Sequence, residues 1–150
     1  MKALKLVFFS GIVLCACSVE KKDTPIEEEN TPTSSLSVEC YQYVQNKDTV
    51  QLQLNIDDKN VTGFLKYSFF EKDKSSGELK GRIEDSLLIA DYTFQAEGQT
   101  SVREVIFKMS EDGWIEGYGP IEESNGKIKM KSLDSLDYSL SKQLRPIACN

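Results

Sequence analysis

The chain has 150 residues, enough for one domain with one hydrophobic core. Its formal charge of −6 argues against nucleic acid as a partner, because phosphate binding needs clustered Lys and Arg, and against electrostatic attachment to anionic lipid. Histidine is absent, which removes the commonest general base and the commonest metal ligand together, and with them Ser-His-Asp and Cys-His mechanisms.

The first element is a leader. Met1 to Lys5 carries two lysines, Leu6 to Leu14 is apolar, and Cys15, Ala16 and Cys17 follow. A positive start, a short apolar core and a small residue before the cut form a secretory signal. The apolar run is too short to span a bilayer, which needs roughly 20 residues. Leu14-Cys15-Ala16-Cys17 resembles the lipobox of bacterial lipoproteins, with Leu three residues before the modified cysteine and a small residue just before it. The resemblance implies cleavage after residue 16 and lipidation of Cys17, whose acyl chains hold a protein stably on a membrane once there are two or more. Loss of Lys2 and Lys5 takes the formal charge from −6 to −8. Ser18 resembles the outer-membrane case, since enterobacterial lipoproteins retained at the inner membrane carry Asp there.

Residues 17–36 read as a lipid-anchored tether. Glu20, Lys21, Lys22, Asp23, Glu27 to Glu29, Pro25 and Pro32 crowd a stretch with few large apolar groups, too few to build a core. Lys22-Asp23 partly matches a Bacteroidota signal for surface display.

Residues 37–150 carry the pattern of an all-β domain. Val50, Leu52, Leu54 and Ile56 alternate with Gln51, Gln53 and Asn55, giving one apolar and one polar face. Asp57 to Asn60 is a turn. Val61 to Phe70 is a second strand, with Gly63 marking a bulge or bend. A polar loop over 72–77 leads to a short strand at Glu78 to Glu84, and Leu87 to Phe94 forms a longer one. Gly98 to Ser101 turns into Val102 to Met109. Asp112-Gly113 and Asn125-Gly126 are hairpin turns flanking Trp114 to Pro120 and Lys127 to Lys131. Leu133, Leu136 and Leu140 have helical spacing, so Ser132 to Lys142 is expected to hold one or two helical turns. About eight or nine short strands with short connections predict an antiparallel up-and-down meander barrel of about eight strands. Cys40 and Cys149, the pair left once Cys15 is removed and Cys17 is acylated, are expected to form a disulfide that brings the last segment beside Cys40.

Several segments between Cys40 and Gly119 resemble small Bacteroidota lipoproteins: Cys40-Tyr41-Gln42-Tyr43, Val61 to Tyr67, Glu71-Lys72-Asp73, Ile89 to Phe94, Ser101 to Val105 and Glu116 to Gly119. The resemblance implies a barrel of the calycin type, as in lipocalins and copper-stress envelope lipoproteins. The cysteine-pair motif of those stress proteins and the lipocalin Gly-x-Trp signature are both missing.

Among candidate sites Arg103 stands out. If Val105, Phe107 and Met109 face the core, alternation puts Arg103 there too, and a buried guanidinium needs a carboxylate. Asp91, Glu71 and Glu104 are the candidates, although Glu104 should point the other way. Arg103, Asp91, Tyr92 and Trp114 make the predicted ligand-binding set, against a structural reading as an ion pair at the barrel rim. Tyr67, Phe69, Phe94, Phe107 and Tyr118 read first as core. Glu71, Asp73, Glu122 and Glu123 fall in charged turns, so no catalytic residue, metal site or cofactor is expected and the chain does not read as an enzyme. Thr49, Ser86 and Ser135 follow Asp and precede an aliphatic residue, matching the Bacteroidota O-glycosylation pattern. The expected function is that of an envelope lipoprotein whose barrel holds an apolar or amphiphilic ligand or an envelope protein partner. The alternative is a structural lipoprotein with a filled barrel.

Overall fold

A computed structural model describes residues 36–72, 74–96, 98–139 and 141–149. The leader, Cys17 and nearly all of the tether lie outside the described residues, as does Asp73.

Among the described residues ten strands are formed: β1 (Ser37–Gln45), β2 (Asp48–Asp57), β3 (Asn60–Ser68), β4 (Ser75–Glu84), β5 (Leu87–Ala96), β6 (Gln99–Ser110), β7 (Gly113–Gly117), β8 (Ile121–Ser124), β9 (Lys127–Met130) and β10 (Gln143–Ile147). Eight of them, β1 to β7 and β10, close in up-and-down order into an antiparallel barrel, with β10 pairing both β7 and β1. The β8–β9 hairpin stands outside this ring and joins it through a short parallel pairing of β9 with β6.

Two-residue turns make the register. Asn46, Asp58, Asp85 and Asn125 open their turns with φ of 53–55°, the left-handed region that Asn and Asp tolerate best among residues with a side chain. Each hairpin therefore keeps period-2 alternation in step with its neighbour. The inward set on β2 (Val50, Leu52, Leu54) meets Val61, Leu65 and Tyr67 of β3. Leu79, Leu88, Ala90, Tyr92, Val105, Phe107, Trp114 and Leu144 complete the core.

Gly63 sits in unbroken pairing with both neighbours, so no bulge forms there. It is glycine because the strands approach too closely for a side chain: a Cβ would lie 2.0 Å from the Gln53 carbonyl oxygen. Gly81 is in the same position against Ile89 of β5. These inward glycines let β2 to β5 coil tightly enough to close the ring.

Two expectations fail. Gly77 lies within β4, which begins at Ser75, so the polar loop after β3 is shorter than predicted. The segment after β9 is not helical. It crosses the end of β7 as a strap, exchanging backbone hydrogen bonds between Asp137 and Tyr118, while Tyr138 packs on Gly117. Its leucine spacing loses to this pairing, because a helix this short is marginal in water. Cys40 and Cys149 are joined, with Cα atoms 5.3 Å apart, on the outer side of the β1–β10 pair.

Candidate functional site

The barrel interior is solid at one end and open at the other. At the end where Ser37 enters and Cys149 leaves, aliphatic residues and Trp114 fill it. Toward the other end the inward positions turn polar: Tyr67 on β3, Arg103 on β6 and Glu116 on β7. They surround a cavity of about 440 Å³. That volume lies within the range of small-molecule sites.

Glu116 is the buried acid of the site, only 5 % exposed. It faces inward because it lies two residues beyond Trp114 on β7. Tyr67 donates its hydroxyl proton to Oε1 and Tyr118 donates to Oε2, each at 2.7 Å. Ser141 donates to the Glu116 carbonyl and fixes the backbone. Burial pushes the Glu116 carboxyl up from the ordinary carboxylate range, opposed by the two phenol hydrogen bonds and by the charges of Arg103 and Lys142. Burial and the neighbouring carboxylate also raise the Tyr67 and Tyr118 phenols.

Arg103 lies on the inner face as alternation predicts. Its guanidinium carbon sits 5.2, 5.3 and 5.4 Å from the ring centres of Tyr67, Tyr92 and Phe94. Three ring faces supply cation–π attraction, but they do not accept the in-plane N–H bonds. The buried Nε has no hydrogen-bond partner among the described residues. None of the predicted carboxylates pairs with it. Asp91 lies on the outer face of β5, because Ala90 and Tyr92 take the inner one, and it binds Lys127. Glu104 accepts a hydrogen bond from the Met130 amide at 3.1 Å. Glu71 is an exposed turn residue with φ of 55°.

The predicted ligand set is thus split. Tyr92 backs Arg103 and donates to Ser75 at 3.1 Å. Trp114 belongs to the filled end, with the Tyr41 ring edge-on to it at 6.4 Å. Phe107 joins it in the core, whereas Tyr67, Phe69 and Tyr118 line the cavity. Met109, expected inside, is 47 % exposed at the end of β6.

Two contributors were missed. Glu116 was legible as the partner of Trp114 and Tyr118 in one alternating run. Lys142, just before β10, had no periodic signal. It reaches over the Phe69 ring at 5.0 Å and the Tyr43 ring at 5.8 Å. Ser75, Glu104 and Gly119 also line the cavity, and its apolar side is Val105 together with Ile121, Ile128 and Met130 of the β8–β9 hairpin. Arrangement of charge at one side and alkyl groups at the other is what an amphiphile requires.

The predicted sugar acceptors occupy three settings. Thr49 is a half-buried residue of β2, Ser86 is exposed in the β4–β5 turn, and Ser135 is exposed in the strap and donates to the Ser132 carbonyl at 3.2 Å. Glu122 of β8 pairs with Lys129 at 3.0 Å, and Glu123 is exposed.

No protein-family model matches the chain, and neither a curated protein nor a solved structure is found to match it.

Proposed function

We propose that this protein is a binding module of a bacterial cell envelope, anchored through lipid on Cys17, whose barrel takes up a small amphiphilic molecule. The observation that carries the binding role is the cavity of about 440 Å³ into which Arg103 projects with a buried, unpartnered N–H. A purely structural barrel has no use for a buried guanidinium N–H without an acceptor, since the ring faces around Arg103 answer its charge but not that hydrogen bond. The leader pattern of residues 1–16 supports the anchor. Ser37 enters at the end of the barrel opposite the cavity.

Native mass spectrometry of the protein extracted from its own membranes tests both parts. The expected result is a chain beginning at residue 17 with acyl mass, and a small molecule that dissociates on activation. Saturable one-to-one binding of the fluorescent amphiphile 1-anilinonaphthalene-8-sulfonate by the purified protein is expected as well. A bare chain that starts at Met1 removes the anchor, and absence of any saturable site for the dye removes the binding role.

A further inference from the structure

We propose that the polar end of the ligand is a single oxyanion, seated between Arg103 and Lys142, and that Glu116 gains a proton as the oxyanion enters. This rests on the cavity being a ligand site and specifies its chemistry.

The seat follows from which groups still have N–H bonds to give. Both oxygens of Glu116 already accept phenol hydrogens, and it forms no direct ion pair with Arg103 among the described residues. Asp91 on β5 is held on the outer face by Lys127, and Glu104 on β6, which lines the cavity, accepts from the Met130 amide. Among the described residues Arg103 therefore keeps a buried Nε–H without an acceptor, and the Lys142 ammonium meets only ring faces. Oxyanions accept strongly from both groups, and the guanidinium fork fits a planar or tetrahedral oxyanion with two bonds. Two cations, Arg103 and Lys142, and two carboxylates, Glu116 and Glu104, line the cavity; the phenols hold both oxygens of Glu116 and the Met130 amide holds Glu104 Oε1, so an entering oxyanion supplies the acceptor that the Arg103 N–H lacks. A ligand that is neutral or cationic leaves Arg103 unsatisfied.

The proton follows from the neighbours of Glu116. The groups facing it are Tyr67 from β3, Tyr118 at the end of β7, Arg103 from β6, Lys142 before β10 and, farther off, Tyr92 from β5. Glu104 lines the same cavity, its Oε1 held by the Met130 amide. The ligand adds a negative charge between the cations beside Glu116, and a like charge in a buried site shifts a carboxylate toward its protonated form. Burial already biases Glu116 in that direction. The proton comes from solvent. Tyr118, at the cavity mouth, can turn its hydroxyl from Glu116 to the ligand once the acid is neutral.

Titration calorimetry on the full-length chain with three ten-carbon probes tests this. The probes are 1-decanesulfonate, 1-decanol and decyltrimethylammonium. The sulfonate keeps its charge throughout, so any pH dependence belongs to the protein. It is expected to bind at least about tenfold more tightly than the alcohol, the value of one charge-assisted hydrogen bond. The ammonium probe is expected to bind weakest. Sulfonate affinity should fall severalfold from about pH 5 to about pH 8 while alcohol affinity stays level. Glu116→Gln should flatten that profile. Lys142→Gln should weaken the sulfonate severalfold more than the alcohol. Equal binding of sulfonate and alcohol overturns the oxyanion seat while the binding module stands. A level sulfonate profile in the wild type overturns the proton step. No binding of any probe overturns the binding module itself.

Discussion

Removing the Cys40–Cys149 bond should be the most damaging small change to the barrel. The two cysteines are 109 residues apart, so the bond closes nearly the whole described domain into one loop. In the chain-entropy treatment, opening a loop of that length frees about 4.8 kcal/mol of unfolded-chain entropy at 25 °C. That is a large share of a total stability of about 5–15 kcal/mol. The native barrel loses little in contacts, since both cysteines lie on the outer side and β10 stays attached through Leu144 and its pairing with β1 and β7. The assay is equilibrium urea unfolding followed by Trp114 fluorescence. Trp114 is the chain's single tryptophan and is fully buried, so its emission reports the core directly. With an m-value of about 2 kcal/mol/M, the midpoint should drop by about 2 M, equally for the reduced wild type and for the double Cys→Ala variant. A drop below about 0.5 M would refute loop closure as the source of stability. So would a double variant far less stable than the reduced wild type, because that pattern belongs to lost packing.

Glu116→Gln should change how stability depends on pH. Burial raises the folded carboxyl above its unfolded value, so the folded state holds more protons in the window between the two. Wild-type stability is then greatest below the ordinary Glu range and falls as pH rises through the raised value, whereas the Gln variant lacks that slope. Urea midpoints taken from about pH 4 to about pH 9 check this, and parallel curves for the two proteins would contradict it. Gly81→Ala places a Cβ 2.1 Å from the Ile89 carbonyl oxygen and 2.5 Å from the Ala90 Cα, both backbone atoms. A cost of about 1–3 kcal/mol is expected in the same assay. A variant within about 0.5 kcal/mol of wild type would mean that β4 and β5 separate easily.

The legible part of this barrel is what period-2 alternation and turn chemistry encode. Val50, Leu52 and Leu54 announce their own face, and the Asn and Asp that lead the two-residue turns carry the register onward. Alternation also placed Arg103 indoors from Val105 and Phe107. The same rule, applied to β5, would have sent Asp91 outdoors with Tyr92 indoors. It was set aside there because a buried cation invites a search for its carboxylate. Glu116 was hidden by the opposite habit: an acidic residue beside Ile115 and Gly117 reads as solvent-facing, although Trp114 and Tyr118 share its parity. Lys142 and the Asp137–Tyr118 crossing depend on where an irregular strap returns over the barrel, and no local period records a long-range path.

The cavity owes its existence to unequal strand lengths. β6 runs for 12 residues, but β7 has only 5 and pairs with β6 only from Ile106 to Ser110. The first half of β6 keeps β5 on one side but has no β7 partner on the other, and β9 fills part of that gap through Val102↔Lys127 and Arg103↔Ile128. Arg103 therefore lies where the wall changes partner, with its backbone paired to the hairpin and its side chain indoors. A continuous β7 would have brought an inward side chain opposite Arg103 and closed the space. The hairpin instead covers the gap with Ile121, Ile128 and Met130, held to the barrel by two ladder positions, the Lys127–Asp91 pair and the Glu104 hydrogen bond to Met130. So thin an attachment puts this wall at the low-stability end of the fold, where sites that admit ligands are drawn from. The barrel strands place the charges, and the hairpin supplies the apolar side of the cavity.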